Sequence, residues 1–201
     1  MCGRVYMAPV NPELRELVKE MNRAKLAKRF CDERGLSLKT EGEILPSSVL
    51  PALALNRAGE KKVFPMKWGF RGKKGLLINA RAETASEKPT FRELWQNHRC
   101  VITASLYYEW EHDEQKHPGQ KYALHPPDEG IIRLAGLYRM EEGLPAFVIL
   151  TCAADERIAW MHDRMPVMLR KEDADAWIRR ETIPAEIIGR RITNVIWEKA
   201  V

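Results

Sequence analysis

No stretch of this 201-residue chain approaches the roughly 18 uninterrupted apolar residues that a membrane-spanning helix requires. The N-terminus lacks both a basic n-region and an apolar h-region, so export is not expected and the chain is read as cytoplasmic. Internal repeats, linkers and low-complexity tracts are also missing, and a single domain over residues 1–201 is expected. The four cysteines, Cys2, Cys31, Cys100 and Cys152, show no CxxC or other metal-ligand spacing, either among themselves or with the five histidines. No metal and no cofactor are therefore expected. Reduced thiols follow from the absence of an export signal, and Cys100 in HRCVIT and Cys152 in VILTCAA read as small buried apolar residues within strands.

What is present is an ordinary globular composition, 45% apolar and 30% charged, with a net charge of +5. The charge is unevenly placed. Residues 57 to 99 hold eleven Lys or Arg against four Glu, a local surplus of +7. A block of Lys61, Lys62, Lys67, Arg71, Lys73, Lys74 and Arg81 suggests a surface that faces a polyanion. The alternative is a lysine-decorated solvated loop.

Asn11, Pro12 and the stripe Leu14, Leu17, Val18, Met21 predict an N-cap, a first-turn proline and a helix running to about Gly35. Short apolar runs follow between Gly, Pro and charged turns: VLPALAL, KKVFPMKWGF, GLLINA, RCVITASLYYEW, KYALH, GIIRLAGLYRM and PAFVILTCA. These are strand signals. Short helices are predicted at Thr90 to Asn97 with Thr90 as cap, at Asp155 to Met161, and in KEDADAWIRR. The fold class is α+β: a large, mostly antiparallel sheet, closed or nearly closed into a barrel, with peripheral helices.

Four places set polar residues at strand ends. Cys2, Gly3 and Arg4 open the chain; if Met1 is removed, Cys2 carries an α-amine and a thiol on adjacent carbons. In INARAET, an extended backbone would point Asn79, Arg81 and Glu83 to one face. In SLYYEW, Glu109 sits between aromatic residues, where a carboxyl group losing hydration would favour its protonated form, as a general acid must. In MHDRMPVM, His162 stands beside Asp163 and Arg164 ahead of an apolar strand. His98, His112, His117 and His125 lack such company and are read as surface residues.

Taken together and in this order, MCGR, WGF followed by INARAET, YYEW, VILTCAA and HDRMPV resemble the SRAP family, the SOS response-associated peptidases that process abasic sites. The resemblance spans residue 1 to about 170. It implies the family's α+β fold and covalent capture of abasic sites in single-stranded DNA, which is the expected partner; a monomer without membrane or metal partners is expected. Cys2 would form the crosslink, Asn79 would orient the Cys2 terminus or the sugar, Glu109 would assist proton transfer and His162 would act on the sugar hydroxyl. Arg4, Arg81 and Arg164 would clamp phosphates. Met1 removal is attributed in the family to autoproteolysis or to an aminopeptidase.

The chemistry is independently sensible. An amine attacks the aldehyde of an opened abasic sugar, and a thiol two atoms along closes a five-membered thiazolidine ring, which only an N-terminal cysteine permits. Here WGF runs directly into RGKKG where many relatives carry a longer aromatic loop, so Lys67, Arg71, Lys73 and Lys74 would supply a salt-sensitive grip on the DNA backbone. Two other readings stay open: a cysteine peptidase acting in trans, and a non-covalent nucleic-acid-binding module.

Overall fold

The structure, a computed structural model, describes residues 2–112, 118–127 and 130–200. The first strand, β1 (Val5–Met7), is followed by helices α1 (Pro12–Arg23) and α2 (Lys25–Arg34). Strands β2 (Gly42–Ile44), β3 (Val49–Leu55), β4 (Lys61–Trp68), β5 (Phe70–Gly72), β6 (Gly75–Leu77) and β7 (Asn79–Arg81) come next. Helices α3 (Ala82–Ala85) and α4 (Arg92–Asn97) separate these from β8 (Arg99–Ala104), β9 (Leu106–His112), β10 (Pro118–His125), β11 (Ile132–Glu141), β12 (Leu144–Ala153) and β13 (Arg164–Pro166). The chain ends with α5 (Lys171–Ile178), α6 (Pro184–Gly189) and β14 (Ile196–Lys199).

Five strands close on themselves in the order β11, β8, β3, β4, β12 and back to β11, forming a small barrel. Its one parallel seam joins β4 to β12, and β7 continues that parallel pairing further along β12. Pro51 of β3 faces Pro65 of β4, so both missing N–H donors fall on a single rung of the ladder. At Gly136 of β11 a Cβ would sit 2.6 Å from Ile102 Cδ1 and 3.0 Å from Cys100 Sγ, so the crowded wall accepts no side chain there. A second, five-stranded sheet in the order β14, β10, β9, β1, β2 packs with the barrel around one continuous core.

The helix expected from Asn11 to Gly35 breaks at Ala24, whose ψ of 135° is extended. The two halves serve different packing sites: Leu14, Leu17 and Met21 join the main core, whereas Phe30 packs with Val49 and Leu144. Asn11 caps α1 through its side chain, accepting from the Glu13 N–H at 2.9 Å. The helix α4 starts after Phe91, not at a Thr90 cap. Residues 155–161 form successive turns instead of a helix, with Ile158 N–H donating to Asp155 O and Met161 N–H to Ile158 O, each at 3.0 Å. Among the described residues no helix is long and apolar enough to cross a membrane.

Candidate active site

Cys2 precedes β1, and β1 lies antiparallel to β9 with Val5 opposite Tyr107. The Tyr108 N–H donates to Arg4 O at 2.9 Å, extending the pairing by one residue. Continued further, this register sets Gly3 opposite Glu109, so the start of the chain runs alongside YYEW. Alternation directs Tyr107 and Glu109 to the same face of β9, and both are buried, at 1% and 5% exposure. Cys2 is itself fully buried.

Asn79 arrives from the barrel. The Trp68 indole N–H donates to Ile78 O at 3.1 Å, and the Ile149 N–H donates to the same carbonyl, also at 3.1 Å. Trp68 is fully buried and stacks on Phe147 at 6.1 Å. The tryptophan of WGF thus fixes the residue ahead of Asn79, which links two of the sequence motifs. Its glycine is equally constrained. Gly69 has φ of 108°, and a Cβ there would lie 2.6 Å from Leu76 Cγ.

Buried Asn79 donates through Nδ2 to Cys2 O at 2.9 Å, bridging barrel and second sheet. Its Oδ1 is buried with no hydrogen-bond partner among the described residues. Burial and, after it, the nearby Glu109 carboxylate push the Cys2 thiol up to about 12 from an ordinary 9.0. Burial also raises the Tyr107 hydroxyl well above its usual value, followed in effect by Cys2, Glu109 and Cys152. These groups therefore share one low-dielectric space.

His162 sits half-buried just before β13, which pairs with the far end of β12. Its Nδ1 accepts the Arg164 N–H at 2.9 Å and lies 2.9 Å from Asp163 Oδ1. The fixed Arg164 N–H suits Nδ1 as an acceptor in the neutral ring, and the exposed Asp163 carboxylate beside it suits the protonated ring.

The arginines divide. Arg81 pairs with Thr151 in the β7–β12 register, and Arg164 Nη2 donates to Thr151 O at 2.8 Å, so both meet at one point of β12. Arg81 is exposed, but Arg164 grips Glu83 through two bonds of 2.8 Å, which lowers the Glu83 carboxyl and raises the guanidinium. INARAET is accordingly not extended throughout: the chain turns into α3 after Arg81, and Glu83 reaches Arg164 and the Ala153 N–H from that helix. Arg4 bonds Glu43 at 3.0 Å and lies 4.8 Å over the Trp110 ring.

The basic segment is dispersed. Lys67 lies opposite Ala146, three residues along β12 from the partner of Asn79, a displacement of about 10 Å. Arg71 pairs with Glu142, Lys61 with Asp175 at 2.7 Å, and Arg99 is buried against Trp95 O and Trp177 O. Lys73 and Lys74 are exposed at the turn between β5 and β6. His98 bonds Glu93 at 3.1 Å and packs edge-on against Tyr138, and both it and His125 are half-buried instead of fully on the surface. His117 lies outside the described residues, as do the surroundings of the His112 side chain. Cys100 and Cys152 are buried in strands, and Cys31 is exposed. Among the described residues no group of three or more His, Cys, Asp and Glu could hold a metal ion.

Two residues escaped sequence reasoning. Tyr107 is fully enclosed beside Cys2 with no hydrogen-bond partner for its hydroxyl among the described residues; strand alternation with Glu109 was the available signal. The Arg191 guanidinium, between α6 and β14, acts on Cys152 through its charge, partly offsetting the burial that raises its thiol. Nothing in the local sequence marks it.

The sequence pattern of the SOS response associated peptidase (SRAP) family matches residues 1–194. The chain belongs to this family. The abasic site processing protein YoqW of Bacillus subtilis is 34% identical over 155 residues, 69% of either chain. YedK of Escherichia coli, also named an abasic site processing protein, is 33% identical over 124 residues, 58% of this chain and 55% of its own. The SRAP fold extends to solved structures. A protein from Bacteroides thetaiotaomicron superposes with a TM-score of 0.70 at 20% identity, covering 98% of this chain and 91% of its own. A phage-related protein from Bordetella bronchiseptica gives 0.71 at 21% identity, with 99% and 94% covered.

Proposed function

We propose that this SRAP protein captures abasic sites in single-stranded DNA by forming a thiazolidine with Cys2 once Met1 has been removed. The observation that carries the reading is the hydrogen bond from Asn79 Nδ2 to Cys2 O, in a buried space shared with Glu109. It holds the backbone of the one residue that can offer an amine and a thiol together.

The freed amine attacks C1′ of the open-chain sugar, and the adduct loses water to give an imine. The thiol then adds to the imine carbon, and its proton passes to the imine nitrogen. Atoms balance with loss of a single water. The amine acts first, because the ring can close only on the imine carbon that the amine has made. Glu109, close enough to act on the Cys2 thiol electrostatically, takes the ammonium proton; Asn79 Oδ1 accepts from the amine or the sugar; His162 addresses the sugar hydroxyl. Arg81 and Arg164 flank the strand as phosphate contacts.

With Met1 attached, burial holds the Cys2 thiol high, which does not favour the thiolate that a peptidase acting in trans needs. The relatives named abasic site processing proteins support the DNA reading. The test is a denaturing gel and intact mass after incubating Met1-free protein with an oligonucleotide bearing one abasic site. An adduct equal to protein plus DNA minus one water, absent in Cys2→Ala, is expected. No adduct from fully processed protein overturns the reading.

A further inference from the structure

Of six tryptophans, only Trp160 and Trp197 are exposed, at 46% and 44%, and they lie against each other with ring centroids 5.5 Å apart. Both pack edge-on against Tyr122, each at 5.3 Å, and Tyr122 is 5% exposed. The rings are fixed in place. The Trp160 indole N–H donates to Arg157 O at 3.0 Å, and Arg157 reaches Asn194 Oδ1 at 2.6 Å, tying the turn that carries Trp160 to the segment ahead of β14. Nearly half of each ring system stays in solvent, an arrangement that the apolar core does not need.

The cluster adjoins the candidate site through the sheet register. Glu109 pairs with Tyr122 and Tyr122 with Lys199; Tyr107 pairs with Leu124 and Leu124 with Trp197. Paired residues project to the same face, so the face that buries Tyr107 and Glu109 continues across β10 and ends on the edge strand as Trp197 and Lys199. On the other side Trp160 stands two residues before His162. Lys199 is exposed and adds a cation beside the rings. Residues 196–199 lie beyond the stretch matched by the family pattern.

We infer that Trp160 and Trp197 form a stacking platform for a nucleobase of the strand adjoining the captured lesion, with Lys199 facing its phosphate. This rests on the DNA reading above and adds one contact to it. Stacking is indifferent to base identity, because every base presents a π-face, so the platform would hold the strand without reading sequence.

The test uses the full Met1-free chain and a single-stranded oligonucleotide whose lesion is a tetrahydrofuran, an abasic analogue with no aldehyde, so that only reversible binding is read. Tryptophan fluorescence should be quenched on binding, and Trp160→Ala/Trp197→Ala should weaken affinity about tenfold, in the range carried by one base stack. Trp160→Leu/Trp197→Leu, which keeps apolar bulk but loses the flat faces, should be as weak. Replacing the bases next to the lesion by further tetrahydrofurans should erase the difference between wild type and variants on the platform side alone. Equal affinities in all proteins overturn the inference, as does rescue by leucine, which would mean an apolar docking patch. A wild-type dimer in sedimentation that the variants lose also overturns it, because the occupant would then be a second copy. Crosslinking of wild type to a true abasic site is measured in parallel, so that failure of the DNA reading itself shows as absence of that adduct.

Discussion

Asn79→Ala removes the hydrogen bond through which its side chain joins the barrel to the backbone of Cys2. The Cys2 carbonyl is left without its 2.9 Å donor in a buried setting, and the cost is that of a stranded buried acceptor, about 2 kcal/mol. For a chain of this size that corresponds to a fall in Tm of about 4–8 °C. The kinetic loss should be larger. A terminus no longer held can drift by an ångström, a displacement that costs on the order of 100-fold in an intramolecularly organised reaction. The assay pairs calorimetry with single-turnover crosslinking to an abasic oligonucleotide, and includes reversible binding to the tetrahydrofuran analogue. Binding should stay within about threefold of wild type while the crosslinking rate falls about 100-fold. Asn79→Asp sharpens the result, because a carboxylate of the same shape cannot donate to the carbonyl. A lowered Tm with an unchanged crosslinking rate in both variants would refute the positioning argument and leave Asn79 as a strut.

Tyr107→Phe deletes a buried hydroxyl with no partner among the described residues and should stabilise the protein by about 1–2 kcal/mol, read as a higher Tm; a lower Tm would mean that the hydroxyl has a partner in solution. Gly69→Ala forces a side chain into φ of 108° and to within 2.6 Å of Leu76, and a loss of about 1–3 kcal/mol by urea unfolding is expected. Burial raises Cys2, Cys100 and Tyr107 in the folded chain, whereas their unfolded counterparts ionise from about pH 9 or 10 upward. The unfolded state therefore binds fewer protons above that pH, so stability should fall as pH rises from about 9 toward 12 and be insensitive to these groups below it. Iodoacetamide applied to the native protein at pH 8 should label exposed Cys31 well before Cys2, Cys100 or Cys152, as peptide mapping would show; early labelling of Cys2 would contradict its burial.

The elements with strong period were legible in the sequence. Apolar runs such as VLPALAL and PAFVILTCA became β3 and β12, and the Asn11–Pro12 start of α1 followed from capping chemistry. What the sequence withheld depended on contacts between distant segments. The closure of the barrel rests on the parallel seam between β4 and β12, and no local pattern specifies which strands meet there. Asp155 to Met161 has helical composition, yet its turns are set by Arg157, which grips Asp155 at 2.7 Å and Asn194 from beyond α6. Glu109 sits among aromatics in the sequence, but its burial was decided by β1 and the start of the chain running beside it.

The dispersal of the basic segment changes how a grip on DNA should be sought. A surplus of +7 over residues 57 to 99 suggests a single face, yet Arg99 supports backbone carbonyls in the core while Lys61 and Arg71 hold acidic partners on other elements. Charges already paired within the fold release few counterions when DNA arrives, so they contribute little to salt dependence. Cations around the candidate site come from scattered positions: Arg4 beside β9, Arg81 on β7, Arg164 on β13, Arg191 acting on Cys152 and Lys199 on β14. Arg81 belongs to the basic block, whereas Arg4, Arg164, Arg191 and Lys199 come from outside it. The folded arrangement, in which two sheets bring separate strand ends to Cys2, assembles this set, and a count of charge along one stretch captures only part of it.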